Sequence, residues 1–327
     1  MKAATAAAEG AAIATNLMTL SANKIFFYLG RTAASLMASL MFACASKPAM
    51  SELPPPAKRE PVAFKLSDRR LAYIIEKQNA LAESVEKNTI TPESAEAART
   101  ELENLWQDYI EKNKSDPASL ILYGKFLRSD ERPDEAYEIF SLADKAAPDT
   151  AVVKQQLSAC EAEKGEFAKS YSHISEAAKL APKEYLYRYQ LACLLKIAGL
   201  KLCAQNILTR PERDKQMLEA FKTASELSPE NAELKLRYAE AFFDVQTPGA
   251  AEACAAFDAA IAALPMPLEK DSARLGKAKI LLGLNKNREA LEALKQISSP
   301  AFKAQKENAE HFALAKLGQT PANKPVK

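Results

Sequence analysis

Glycine is scarce in this chain, with nine among 327 residues, and histidine is scarcer, with two. A phosphate-cradling loop needs glycines clustered where backbone amides approach a ligand, and no G-x-G-x-x-G, P-loop or G-x-S-x-G arrangement occurs. Gly276-Lys277 lacks both the glycine five residues before and the hydroxyl residue after that such a loop requires. His173 and His311 lie 138 residues apart, with no Cys, His or carboxylate at a metal-ligand spacing that sets either apart from ordinary surface. Both are expected to be surface histidines. Cys160, Cys193, Cys203 and Cys254 show no C-x-x-C spacing and read as small buried hydrophobes, a Cys160 to Cys193 disulfide being the alternative in an oxidising compartment. An excess of charge is missing too, with 44 basic and 42 acidic residues, so the chain lacks the field that draws nucleic acid. Alternating β-branched runs are also absent, so nothing suggests a sheet. No catalytic residue, metal ligand or cofactor site emerges.

What the chain does have is a period. Ala136, Phe140, Ala143 and Pro148 return 34 residues later as Ser170, Ile174, Ala177 and Pro182, then as Met217, Phe221, Ala224 and Pro229, and as Ala253, Phe257, Ala260 and Pro265. Spacings of four and three put small, large and small side chains on one helix face, so that two backbones can approach. Proline five residues later stops the helix. A further helix precedes each pattern, over 119–127, 152–162, 186–197 and 233–243, so each unit is a helical hairpin with too little core to stand alone.

These positions resemble the tetratricopeptide repeat family. Its register gives repeats starting near Pro117, Ala151, Tyr185, Ala232 and Asp271, the last carrying Ala278, Ala290 and Leu294 but ending at Ile297 without the proline. The implied fold is all-α, an α-solenoid of about five helical hairpins over 116–300 with flanking helices. In the third repeat the proline comes 13 residues late, and the surplus falls near 200–216, after Gly199. Thr209-Arg210-Pro211 looks like a helix break and restart, so a third helix is expected there. Residues 67–115 form an N-terminal hairpin with Thr91 as a helix cap and Trp106 as core, and 301–327 a capping helix and polar tail.

Residues 1–44 resemble a bacterial lipoprotein leader. Arg31 precedes an apolar run ending in Leu40-Met41-Phe42-Ala43-Cys44, which places the lipidated residue at Cys44 and a membrane contact at the N-terminus. Met18 offers an alternative start; an uncleaved anchor, a conventionally cleaved signal and a cytoplasmic N-terminus are the other readings of this stretch. Pro-rich residues 45–66 then serve as a linker. Ala45, where aspartate would signal inner-membrane retention, favours the outer membrane facing the periplasm.

The family's inner groove is lined by positions of each first helix. In the first repeat they match Ile121, Lys125 and Arg128, in the second Gln155, in the third Tyr189 and Lys196, and in the fourth Leu236, Glu240 and Phe243. Tyr189, Leu236 and Phe243 are expected to be partly exposed. The family's grip on acidic peptide C-termini takes a Lys followed four residues on by Asn, and Ile121 with Lys125 or Gln155 with Ala159 does not supply it. The expected function is a non-enzymatic scaffold for protein or peptide partners in an envelope complex, with carriage of a lipid or other apolar ligand in the groove as the alternative.

Overall fold

The computed structural model describes residues 66–318; the leader with Cys44, nearly all of the linker and the last residues of the tail lie outside them. Among the described residues the regular elements are all helical, and each helix packs chiefly on its neighbours in sequence. The helices pair as α1 (Leu66–Glu86) with α2 (Pro92–Lys112), α3 (Pro117–Ser129) with α4 (Pro133–Ala146), and α5 (Ala151–Glu163) with α6 (Phe167–Leu180). They continue as α7 (Tyr185–Ala204) with α8 (Arg210–Leu227), α9 (Ala232–Ala241) with α10 (Ala250–Ala263), and α11 (Pro267–Gly283) with α12 (Asn287–Lys295). A 3-10 turn (Pro300–Phe302) leads into α13 (Lys303–Lys316), which covers α11 and α12. This is an all-α solenoid.

Polar side chains decide where the helices begin. Thr91, Asp116 and Asn231 each accept a hydrogen bond from the backbone N–H three residues on. Thr209 and Glu212 form a reciprocal capping box at the start of α8. The turns inside five hairpins share one device. Asn88, Glu131, Gly165, Asn206 and Asn285 all take positive φ. After each, the next N–H reaches back five residues to a carbonyl, as Arg132 does to Leu127 and Lys286 to Leu281, both at or below 3.0 Å.

The repeated positions are the core. Phe140, Phe221 and Phe257 are fully buried, and the alanines four residues before or three after them are buried with them. Gly124 shows why a residue without a side chain is needed opposite: a Cβ there would lie 2.6 Å from Cε1 of Phe140. Three apolar clusters follow along the chain, one around Trp106 and Phe140, one around Phe221 and Phe257, and one around Leu281 and Leu294. Trp106 is fully buried, its ring 5.7 Å from that of Tyr123. Phe312 in the last helix is half-exposed, because Ala313 holds that helix's packed position.

The surplus in the third repeat does not make a third helix. Residues 200–216 are the end of α7 and the start of α8, which run to 20 and 18 residues where α5 and α6 have 13 and 14. Gly199 does not end α7. It lies mid-helix, buried, where a Cβ would come 2.6 Å from Nε of Arg213. That guanidinium crosses the glycine to donate to the carbonyls of Leu195 and Lys196 at 2.9 and 3.2 Å. At the other extreme α9 is short and ends before Phe243, which belongs to the segment that follows.

Glu131 adopts a left-handed conformation with no side chain suited to it. Glu131→Gly should raise stability by about 0.5 kcal/mol, relief of roughly 1 to 2 kcal/mol of backbone strain outweighing up to ~1 kcal/mol of added unfolded-chain entropy. Urea unfolding measures the difference, and a lowered midpoint would contradict the strain argument.

Candidate functional site

The first helices α3, α5, α7 and α9 carry eight of the nine residues singled out from the sequence, and Phe243 lies in the segment after α9. Ile121, Lys125, Arg128, Tyr189, Lys196, Leu236 and Glu240 are half-buried, Gln155 is buried, and Phe243 is exposed. Around the first and second repeats the face is polar and internally bonded. Arg128 donates to Gln156 at 3.2 Å and pairs with Glu163, while Gln156 donates to Gln155 at 2.7 Å.

The opposite side of α5 is polar as well, where its neighbours are apolar. Lys154 and Glu161 occupy the positions that Leu120 and Leu127 hold 34 residues earlier, and all four are buried. Lys154 reaches Asp144 at 3.0 Å and Glu176 at 3.3 Å. Burial alone would lower its pKa, but the hydrogen bonds it donates to these two carboxylates outweigh it and hold the ammonium above its ordinary value. Glu161 accepts from Tyr137 at 3.4 Å and contacts Nδ1 of His173 at 2.7 Å. His173 is therefore half-buried against a buried carboxylate and is not a free surface histidine; the partner lies 12 residues away on the other arm of the hairpin. His311 is exposed.

Apolar character concentrates between α7 and α9. Tyr189 stands edge-on to Phe221 at 6.1 Å, and burial pushes its hydroxyl well above the ordinary tyrosine value. The neighbouring Cys193 thiol is raised by burial in turn, which leaves it protonated and a poor nucleophile. Arg237, which the sequence pattern did not single out, lies beside them and is held by Glu233 at 2.7 Å and Glu240 at 3.1 Å. Lys196 pairs with Asp244 at 3.1 Å. Phe243 is 49% exposed and rests edge-on against Phe257 at 6.0 Å.

The segment carrying Phe243 is stapled to the long hairpin. Arg213 and Arg210 both donate to the carbonyl of Asp244, at 2.8 and 3.1 Å, and the N–H of Gln246 donates to Asp214 at 2.8 Å. Burial would raise the Asp214 carboxyl, but hydrogen bonds from Arg213, Gln246 and Arg210 together hold it below its ordinary value. The four described cysteines are free, and no group of three or more His, Cys, Asp or Glu among the described residues could hold a metal ion.

No protein-family model matches the chain, and no curated protein matches it. Solved structures do. A chain of the Naa15/Naa10 complex bound to HypK-THB aligns over 75% of this chain and 34% of its own, with 13% identity and a TM-score of 0.52. YrrB, described as a tetratricopeptide-repeat protein with an unusual peptide-binding site, aligns over 65% of this chain and 97% of its own, with 17% identity and a TM-score of 0.48. PilF of Pseudomonas aeruginosa aligns over 75% and 100%, with 15% identity and a TM-score of 0.44. The all-α solenoid is the fold shared with the Naa15/Naa10 chain, and its helical hairpins follow the 34-residue period of the sequence.

Two outcomes follow from this geometry. Tyr189→Ala should lower stability by about 2 kcal/mol, since half of a packed aromatic is lost, while Phe243→Ala should cost less than ~1 kcal/mol. Thermal melts of the two variants distinguish them, and equal losses would mean that Phe243 is core. For Asp214 the folded carboxyl lies below the ordinary 3.8, so its stabilisation is present above that value and lost as pH falls through the folded one. Asp214→Asn should accordingly flatten the acid limb of a stability profile below about pH 4. An unchanged limb would show that the staple carries no net stabilisation.

Proposed function

We propose that this chain is a non-enzymatic scaffold that holds a protein or peptide partner on its first-helix face and is tethered to the cell envelope through a lipidated Cys44. The observation that carries the reading is the α7 and α9 face: half-buried Leu236 and Tyr189 and exposed Phe243 stand among charges already paired within the chain. Internally paired charges leave the apolar groups as the main source of affinity, and covering a large apolar side chain is worth about 1.5 to 3 kcal/mol. Burial raises the Cys193 and Cys254 thiols, which keeps them protonated.

The tether rests on the sequence of the leader, where Ala43-Cys44 ends an apolar run and a Pro-rich stretch follows. Partner assembly at a membrane surface, on the periplasmic side of an outer membrane, joins the two halves of the proposal. Among the described residues no helix is long and apolar enough to cross a membrane.

Growth with a radioactive fatty acid should label the full-length protein and leave Cys44→Ala unlabelled; unlabelled wild type would remove the anchor. A photo-crosslinking residue at position 243 should trap a discrete partner in membranes, and Phe243→Ala should weaken capture of that partner roughly tenfold. Retained capture would remove Phe243 from the interface.

A further inference from the structure

Past the point where an ordinary first helix ends, α7 carries an apolar row left exposed to solvent. Ile197, Leu200 and Ala204 lie on the helix at successive spacings of three and four, and Ile207 follows beyond left-handed Asn206 in the turn. Ile197, Leu200 and Ile207 are 49%, 54% and 39% exposed. The packing face of the same stretch is the other one, where Ala198, Gly199 and Leu202 are buried and Arg213 of α8 crosses the glycine. Spacings that alternate three and four are those at which one helix seats its side chains between those of a second helix laid along it. On the helix the row from Ile197 to Ala204 covers about 10 Å at 1.5 Å per residue, roughly two turns of such a partner.

Charge says which helix. No Asp or Glu occurs anywhere in α7, and the positions flanking the row are Lys196 and Lys201. Lys196 already pairs with Asp244 and is one-third exposed, whereas Lys201 is exposed, lies 4.7 Å over the ring of Phe167 and makes no ion pair among the described residues. A second copy of α7 would set lysine against lysine whether it lay parallel or antiparallel. We propose that the row receives an amphipathic helix of a partner protein, apolar along one face and acidic along that face's edges. This rests on the reading of the first-helix face as a protein-binding surface, and it names the partner's chemistry.

The test uses the full-length protein and two labelled 21-residue synthetic peptides with leucine at the seam positions, one flanked by Glu and the other by Lys. Like charges at the flanks keep each peptide from pairing with itself. Fluorescence anisotropy should show saturable binding of the Glu peptide, weaker at high salt, and at least about tenfold weaker binding of the Lys peptide. Leu200→Asp and Ile197→Asp should each weaken the Glu peptide roughly tenfold or more with unchanged helical circular dichroism, both residues being exposed. The proposal is overturned if the two peptides bind equally, if neither substitution matters, or if neither peptide binds. It is equally overturned by a sedimenting dimer that Leu200→Asp abolishes, or by phosphatidylglycerol vesicles capturing the protein where the Glu peptide does not. Capture at position 243 that survives Leu200→Asp, with no peptide binding, removes this seam alone and leaves the scaffold reading intact.

Discussion

Close approach of two helix backbones is the constraint on which the rest of the molecule depends. A hairpin of two 13- or 14-residue helices has little apolar surface to bury, so its arms must lie near enough for one ring to fill the space between them. Gly124 opposite Phe140 shows the limit of that approach, and the buried alanines around Phe221 and Phe257 repeat it. Because each hairpin leaves an apolar side uncovered, the next must pack on it, and α13 takes that role at the far end.

The second hairpin departs from this scheme and still keeps its place. Lys154, Ser158, Glu161 and Ser170 stand where apolar or small residues stand in the first. Ser158 contacts Ser170 at 2.9 Å, and the two charged groups find partners on α4 and α6. A buried ion pair of this sort contributes little net stability against an apolar pair of similar size, yet removing one member leaves the other stranded. The layer separates the Trp106 cluster from the Phe221 cluster. It therefore fixes which helices meet there more than it strengthens the join.

Much of this was legible in the chain and some was not, for identifiable reasons. The 34-residue recurrence of Phe140, Ile174 and their small neighbours carried the fold, because burial at those positions is a local property of each helix. Gly199 served only to mark where the surplus begins, and nothing nearby in sequence reveals that Arg213 must cross it. Thr209-Arg210-Pro211 was correctly a helix start, but of the second arm and not of an added one. His173 looked free because its partner, Glu161, sits on the other arm. Arg237 was passed over because its neighbours Tyr189 and Cys193 come from a different hairpin.

The long third hairpin shows where such a chain can change in length. Its added turns sit at the tip, beyond Leu191 and Ala192 on one arm and before Met217 on the other, and both arms grew together. The stem keeps its phase through those residues, while the tip sends Leu202 and Leu208 into the same apolar cluster and grips the segment after α9 through Arg210, Arg213 and Asp214. Length shared between two antiparallel arms extends a finger without turning the palm, and because that finger hooks the backbone at Asp244 and Gln246, a change at its tip is felt at Phe243 in the next repeat.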